Sequence, residues 1–129
     1  MIKRSTLAVL LILGIATAGC GGPSEVVVGA ILSLEGSAAP YGNSISRGIE
    51  LAVEQINAAG GIDVEEGGVR VPLRVELRDA KSDAQIGIQI AQELIDMGVP
   101  AVIGSDSSDV TLAIADLFQQ AGVVLLSPS

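Results

Sequence analysis

Apolar residues follow two periodicities that alternate along this chain. Val26–Leu32 is almost continuously apolar and begins with β-branched residues, which is typical of a strand buried on both faces. From residue 45 to residue 56, apolar side chains recur at the spacing of one helical face, and the pattern stops at the glycines 60 and 61. These two segments predict a strand followed by a helix.

The alternation continues to residue 129. Residues 73–77 alternate between apolar and charged side chains, which predicts a strand nearer a sheet edge, and residues 63–71 before them predict a loop or small hairpin. A second helix, capped by Ser82 or Asp83, is expected to end at Gly98, and a third runs from about Ser108 to Gly122. Their predicted apolar faces consist of Ile86, Ile90, Leu94 and Met97 in the second helix, and Val110, Ile114, Leu117 and Phe118 in the third. Residues 100–103 and 123–126 predict the third and fourth strands.

This order of elements predicts an α/β fold, with a parallel sheet covered by helices on both faces. Sheets of this kind bind ligands in a crevice beyond the carboxyl ends of their strands. The segments expected at that edge are 33–43, 79–82, 104–108 and 127–129, and three of these four are rich in hydroxyl side chains.

The segment 104–108 leads directly into the third helix, where unpaired backbone N–H groups and the helix dipole favour an anion. Ser107 and Ser108 could add hydroxyl donors, or one of them could simply cap the helix. Asp106 and Asp109 lie near the same helix end, where they could favour the dipole but would repel an anion placed too close.

The chain contains one tyrosine and one phenylalanine. Phe118 falls on the apolar face of the third helix, which predicts a role in the core. Tyr41 lies in a Pro-Tyr-Gly sequence expected to form a loop at the carboxyl edge, where its ring could wall an apolar ligand group. The alternative is that the ring packs locally on Pro40.

Composition argues against several classes of function. The chain has no histidine, which excludes His-dependent catalysis within it and removes the commonest metal ligand. Neither phosphate-binding glycine motif is present, and the candidate nucleophile elbow at Gly104 carries Asp106 where the serine would stand. A formal charge of −8 disfavours nucleic acid as a partner. These absences weigh against an enzyme, and we predict no metal and no other cofactor.

The amino-terminal segment resembles a bacterial lipoprotein signal. Lys3 and Arg4 precede an apolar run over residues 7–18, and Thr17-Ala18-Gly19 leads to Cys20, the single cysteine. This interpretation makes 1–19 a signal peptide, 20–25 the lipidated cysteine with a flexible tether, and 26–129 the folded domain. A short transmembrane helix is the alternative for the apolar run, although a spanning helix needs about 20 apolar residues. Cys20 could also be an ordinary small residue beside a cleavage site.

Four segments together resemble the type I periplasmic-binding-protein fold, and most closely the leucine/isoleucine/valine-binding proteins of branched-chain amino-acid ABC importers. They are RGIELAVEQINAAGGI (47–62), VELRDAKSD (75–83), AVIGSDSSDVTLAIA (101–115) and VVLLSPS (123–129). The resemblance implies an extracytoplasmic solute-binding protein that is tethered to a membrane and delivers an amino acid or a related small polar ligand to an ABC permease. A sensory or regulatory lipoprotein with the same fold is the alternative.

The resemblance also implies roles for individual residues. Ser108, with Ser107 beside it, matches the serine that donates to the ligand carboxylate. Ser129 and, less directly, Ser127 match the segment that holds the amino-acid head group. Tyr41 matches an aromatic that lines the side-chain pocket, and Thr111 is a further candidate in the first turn of the third helix.

Members of this family close two α/β lobes around the ligand, and the chain matches part of the first lobe only. The second lobe supplies the acidic partner of the ligand's ammonium group, and hinge closure requires both lobes. We therefore expect residues 20–129 alone to bind leucine weakly or not at all.

Overall fold

The computed structural model describes residues 24–65 and 68–129. The predicted signal peptide and Cys20, the predicted site of lipidation, therefore lie outside the described residues. The described elements are β1 (Val26–Leu32), α1 (Ala39–Ala58), β2 (Ile62–Glu65), β3 (Val69–Val71), β4 (Leu73–Asp79), α2 (Ala84–Asp96), β5 (Ala101–Gly104), α3 (Ser108–Ala121) and β6 (Val124–Leu126). Within these ranges, no helix combines the length and the apolar character needed to cross a membrane.

Four strands form one parallel sheet in the order β4-β1-β5-β6. The predicted α/β fold is therefore confirmed. β1 lies between β4 and β5, as expected for an almost continuously apolar strand, and β4, with its alternating charges, lies at an edge. β2 and β3 form a separate antiparallel hairpin, so the hairpin is the correct one of the two alternatives, loop or small hairpin, predicted before β4.

A hydrophobic core lies on the face of the sheet that α2 and α3 cover. Ile31 from β1 and Val102 from β5 pack there with Leu94 of α2, and all three are fully buried. Phe118 of α3 is also fully buried in this cluster, as its position on the apolar face predicted. The strand is close to the helix at Gly29, where an added Cβ would lie 2.7 Å from Leu94 Cδ1.

Helix α1 covers the opposite face and contacts β1 and β4. Successive strand residues point to opposite faces, so Ala30 and Leu32, both fully buried, lie on the face away from the Ile31 cluster. Helices on both faces of the sheet are therefore confirmed as well.

Two helix ends differ from the expectation. α1 begins at Ala39 rather than near residue 45, because Pro40 occupies one of its first two positions, where the missing N–H costs nothing. Met97 is the C-cap of α2 and is 49% exposed, so its predicted place on the apolar face is wrong. Asp83, rather than Ser82, caps the start of α2 by accepting hydrogen bonds from Gln85 N and Ile86 N.

Candidate ligand-binding site

The carboxyl ends of four parallel strands meet at one edge of the sheet, and the segments after them form the candidate site. These segments are 33–38 after β1, 80–83 after β4, 105–107 after β5 and 127–129 after β6. Side-chain hydrogen bonds join them to one another, as the following contacts describe. The expectation that the carboxyl-edge loops lie together therefore holds in the structure.

Three hydroxyl groups converge at this edge. Thr111 Oγ1 lies 3.2 Å from Ser127 Oγ and 3.2 Å from Ser129 Oγ, and the two serine oxygens are 2.8 Å apart. Thr111 comes from the first turn of α3, whereas the serines follow β6. We call Thr111, Ser127 and Ser129 the hydroxyl cluster, and all three were candidate site residues in the sequence.

The backbone of Ser105 makes hydrogen bonds to two members of the hydroxyl cluster. Its carbonyl oxygen accepts hydrogen bonds from Thr111 Oγ1 and Ser127 Oγ, both at 3.2 Å, and its N–H donates to Thr111 Oγ1 at 3.0 Å. Ser105 is completely buried. Sequence reasoning did not single it out among the neighbouring serines, because its central role depends on backbone contacts with residues six and 22 positions away.

Ser107 and Ser108 mark the start of α3 beside this cluster. Ser107 occupies the N-cap position, but its side chain makes no capping hydrogen bond to the helix. Its own N–H donates to Ser105 Oγ at 3.2 Å, and its carbonyl accepts from Thr111 N at 2.9 Å. Because the Ser107 side chain does not cap the helix, and no other described residue does so, the first N–H groups of α3 are available to another acceptor.

Asp106 does not serve chiefly as a partner of the helix dipole. Its Oδ1 accepts a hydrogen bond from Ser33 N at 2.7 Å and one from Ser105 Oγ at 3.4 Å. Its Oδ2 is buried and has no hydrogen-bond partner among the described residues. Asp109 is exposed in the first turn of α3. The carboxylate of Asp106 is thus directed toward the end of β1.

Tyr41 is not in a loop, which corrects the prediction made from the Pro-Tyr-Gly sequence. It lies in the first turn of α1, where its N–H donates to Ala38 O at 2.9 Å, and 70% of the residue is exposed. Within residues 24–65 and 68–129, no side-chain hydrogen bond joins Tyr41 to the hydroxyl cluster. Its candidate role in a side-chain pocket remains a prediction.

A group of paired charges lies away from the hydroxyl cluster, along β4. Glu76 accepts side-chain hydrogen bonds from Arg74 and Arg78. These bonds, the one from Arg74 most strongly, lower the pKa of the Glu76 carboxyl below its ordinary value. The same contact with Glu76 raises the pKa of Arg74. These charges belong to the edge strand and are not part of the hydroxyl cluster.

The site offers hydrogen-bond donors in abundance and little reactive chemistry. Hydroxyl groups and the free N–H groups of a helix start can hold a carboxylate or another small anion. In the part of the chain that the structure describes, no three Cys, Asp or Glu side chains converge as a metal site would require. The geometry therefore fits recognition of a small polar ligand.

A parallel α/β layer that gathers such donors at the carboxyl edge of its sheet defines a small-molecule binding protein as the class. Comparison with known proteins then gives the family, because residues 25–129 match the model of the periplasmic binding proteins. The chain belongs to the periplasmic binding protein family, which confirms the resemblance seen in the sequence.

Several relatives carry names of branched-chain amino-acid binders. The chain is 29% identical over 126 residues to Leu/Ile/Val-binding protein homolog 2 of Brucella abortus, covering 98% of this chain and 32% of that protein. It is 35% identical, with a TM-score of 0.74, to the branched-chain amino acid transporter substrate binding protein LivJ of Streptococcus pneumoniae, solved with isoleucine; the match covers 81% of this chain and 29% of that one.

A third protein of this kind is also similar to the chain. An ABC transporter substrate-binding protein from Desulfitobacterium hafniense, solved with Leu, is 29% identical to the chain with a TM-score of 0.65, and the match covers 81% of this chain and 29% of that one. The chain therefore spans about a third of the length of the relatives that it matches.

Proposed function

We propose that this chain forms part of the first lobe of an extracytoplasmic solute-binding protein that captures a branched-chain amino acid for an ABC importer and catalyses no reaction. The observation that carries the proposal is the hydroxyl cluster beside the uncapped start of α3. Relatives named for Leu/Ile/Val binding and a neighbour solved with isoleucine support the choice of ligand class.

The ligand carboxylate binds at the start of α3. The hydroxyls of Ser107 and Ser108 and the first N–H groups of the helix donate to it, and the helix dipole stabilises its charge. The Asp106 carboxylate is directed toward the end of β1, where its Oδ1 accepts hydrogen bonds from Ser33 N and Ser105 Oγ, and these bonds offset part of its repulsion of the ligand.

The amino-acid head group lies against the hydroxyl cluster. Ser127 and Ser129 are exposed, and their hydroxyls bond to each other and to Thr111. A ligand can replace these mutual hydrogen bonds with bonds to itself, so few groups lose a partner when it binds. Tyr41 contributes its ring to the apolar part of the ligand site.

Affinity of the 129-residue chain for leucine is expected to be weak, in the millimolar range, because high-affinity pockets enclose most of the ligand surface and this edge covers one side only. The test is a titration of the ¹⁵N-labelled chain, followed by amide chemical shifts. Leucine should shift the amides of Ser107, Ser108, Thr111 and Ser129.

Two leucine analogues test which group is recognised. 4-Methylpentanoate keeps the carboxylate and should shift the amides at the start of α3, whereas 3-methylbutylamine lacks it and should not. Ser108→Ala should weaken the leucine response, and Ser44→Ala, at an exposed position of α1, should leave it unchanged. The proposal fails if leucine shifts none of the four amides, or if the amine reproduces its shifts.

We also propose that the mature chain is held at the membrane by a lipid on Cys20, beside its permease. The basic start, the apolar run and the small residues before Cys20 support this. Metabolic labelling with an alkyne fatty acid in a bacterial host should label the wild-type chain and not Cys20→Ser. Absence of label on the wild type would exclude the anchor without affecting the proposed ligand.

A further inference from the structure

The 33–38 loop, which joins β1 to α1, carries no regular secondary structure and lies at the ligand-facing edge. Backbone N–H groups in such a loop need acceptors. Four of them, from residues 33, 34, 35 and 38, find these acceptors in side chains at the end of β4 and in the loops after β4 and β5. The loop is therefore held by side chains that are distant in sequence.

Asp79, the last residue of β4, supplies the largest share of these bonds. Its Oδ1 accepts from Leu34 N at 2.8 Å, from Glu35 N at 3.4 Å and from Lys81 N at 2.8 Å. Hydrogen bonds to a carboxylate are stronger than those between neutral groups. Asp79 thus joins its own turn to the 33–38 loop through one oxygen.

Ser82 holds the other end of the loop. Its Oγ accepts from Ala38 N at 3.0 Å and donates to Glu35 O at 3.2 Å. Gly36 makes this approach possible, because a Cβ there would lie 2.6 Å from Lys81 O and 2.7 Å from Ser82 Oγ, and its φ is +85°. This close approach is independent of the hydrogen bonds, and it also places the 33–38 loop against Ser82.

Asp106 links the loop to the site described above. It accepts from Ser33 N at 2.7 Å, and its Oδ1 also accepts from Ser105 Oγ. Ser105 in turn supports the hydroxyl cluster through its carbonyl. The start of the 33–38 loop is therefore connected to the groups assigned to the ligand through three successive hydrogen bonds.

We propose that Asp79, Ser82 and Asp106 are positioning residues, which hold the 33–38 loop, and with it the first turn of α1 and Tyr41, in a fixed place beside the ligand site. This role rests on the proposed function, since it concerns the same edge of the sheet. None of the three is required to touch the ligand.

The test compares amide hydrogen exchange, measured by NMR without ligand, in the full 129-residue chain and two matched variants. Asp79→Ala and Asp83→Ala each remove a carboxylate that accepts hydrogen bonds from backbone N–H groups in the same turn region. The Asp83 carboxylate accepts from residues 85 and 86 of α2, whereas that of Asp79 accepts from the 33–38 loop. In Asp79→Ala, the amides of Leu34 and Glu35 should exchange about tenfold faster than in Asp83→Ala. Core amides of β1 should exchange equally in the two variants.

Two further variants assign the other contacts. Ser82→Gly, which suits the φ of +60° at that position, should accelerate exchange at Ala38 and leave Leu34 unchanged. Asp106→Ala should accelerate exchange at Ser33. Fluorescence anisotropy of Tyr41, the single tyrosine in a chain without tryptophan, should fall in Asp79→Ala and not in Asp83→Ala.

Equal exchange at Leu34 and Glu35 in Asp79→Ala and Asp83→Ala would overturn the role of Asp79. If Asp79→Ala does not fold, Ser82→Gly decides, and an unchanged rate at Ala38 would overturn the proposal. These measurements contain no ligand, so a negative result does not affect the interpretation of the leucine titration. Conversely, a negative titration does not contradict the role of these residues in holding the loop.

Discussion

Two glycines in α1 should respond in opposite ways to the same substitution. Gly42 is buried in the first turn, whereas Gly48 is exposed two turns later. A Cβ added at Gly42 would lie 2.0 Å from Ser33 O, while a Cβ at Gly48 would have no heavy atom within 4 Å. We expect Gly48→Ala to stabilise the protein and Gly42→Ala to destabilise it.

The magnitude follows from two contributions. Alanine is favoured over glycine in a helix by about 1 kcal/mol, and both variants gain up to this amount. Real Cβ contacts essentially never fall below 3.0 Å, so at Gly42 the backbone of Ser33 or the helix must move by about 1 Å. Overpacking of this kind costs about 1–3 kcal/mol, and because the obstacle is backbone we expect the upper part of that range. The two variants should therefore differ by about 3 kcal/mol.

Urea unfolding followed by far-ultraviolet circular dichroism measures this difference directly. The midpoint should rise for Gly48→Ala and fall for Gly42→Ala, with similar slopes in all three proteins. In thermal unfolding, a difference of about 3 kcal/mol corresponds to about 10 °C or more for a domain of this size. An increase in stability for Gly42→Ala equal to that of Gly48→Ala would refute the close approach of α1 to the end of β1.

Two other predictions concern the core and the charges of β4. Phe118→Ala should lower the free energy of unfolding by about 3–5 kcal/mol, because this side chain is completely buried, whereas Leu112→Ala on the exposed side of α3 should change it by less than about 0.5 kcal/mol. Arg74 and Arg78 lower the pKa of Glu76 in the folded chain, so its contribution to stability is complete above the ordinary value of 4.5 and is lost as the pH falls through the lower folded pKa. Below pH 4.5, the free energy of unfolding of Glu76→Gln should therefore fall less steeply with decreasing pH than that of the wild type, most clearly at low salt. Equal slopes for the two proteins in this pH range would contradict the prediction.

Much of the fold was predictable because its signals are local. The apolar run of β1, the alternation in β4 and the helical spacing that ends in Phe118 each depend on neighbours a few positions away. The start of α1 was not predicted correctly, since apolar periodicity begins near residue 45 while the helix begins at Ala39. Proline at the first helical positions was the available signal.

The candidate site divides in the same way. Thr111, Ser127 and Ser129 could be named from the sequence, and the structure brings their hydroxyls within 3.2 Å of one another. Ser105 could not be distinguished from the serines near it. Its importance lies in a carbonyl oxygen that accepts from two hydroxyl groups, and the identity of a side chain carries no information about such a contact.

The sequence by itself determined the alternation of strands and helices, the family, and the residue types at the carboxyl edge, because periodicity and local motifs encode them. Only the tertiary structure decided that Asp106 accepts a hydrogen bond from Ser33 N and that Asp79 and Ser82 hold the 33–38 loop. It also decided that Tyr41 lies in an exposed helical turn. The reason is physical. A backbone N–H in a loop takes whichever acceptor the folded chain brings within about 3 Å. Here the acceptors lie at the end of β4 and in the loops after β4 and β5, 44 to 73 residues away in the sequence.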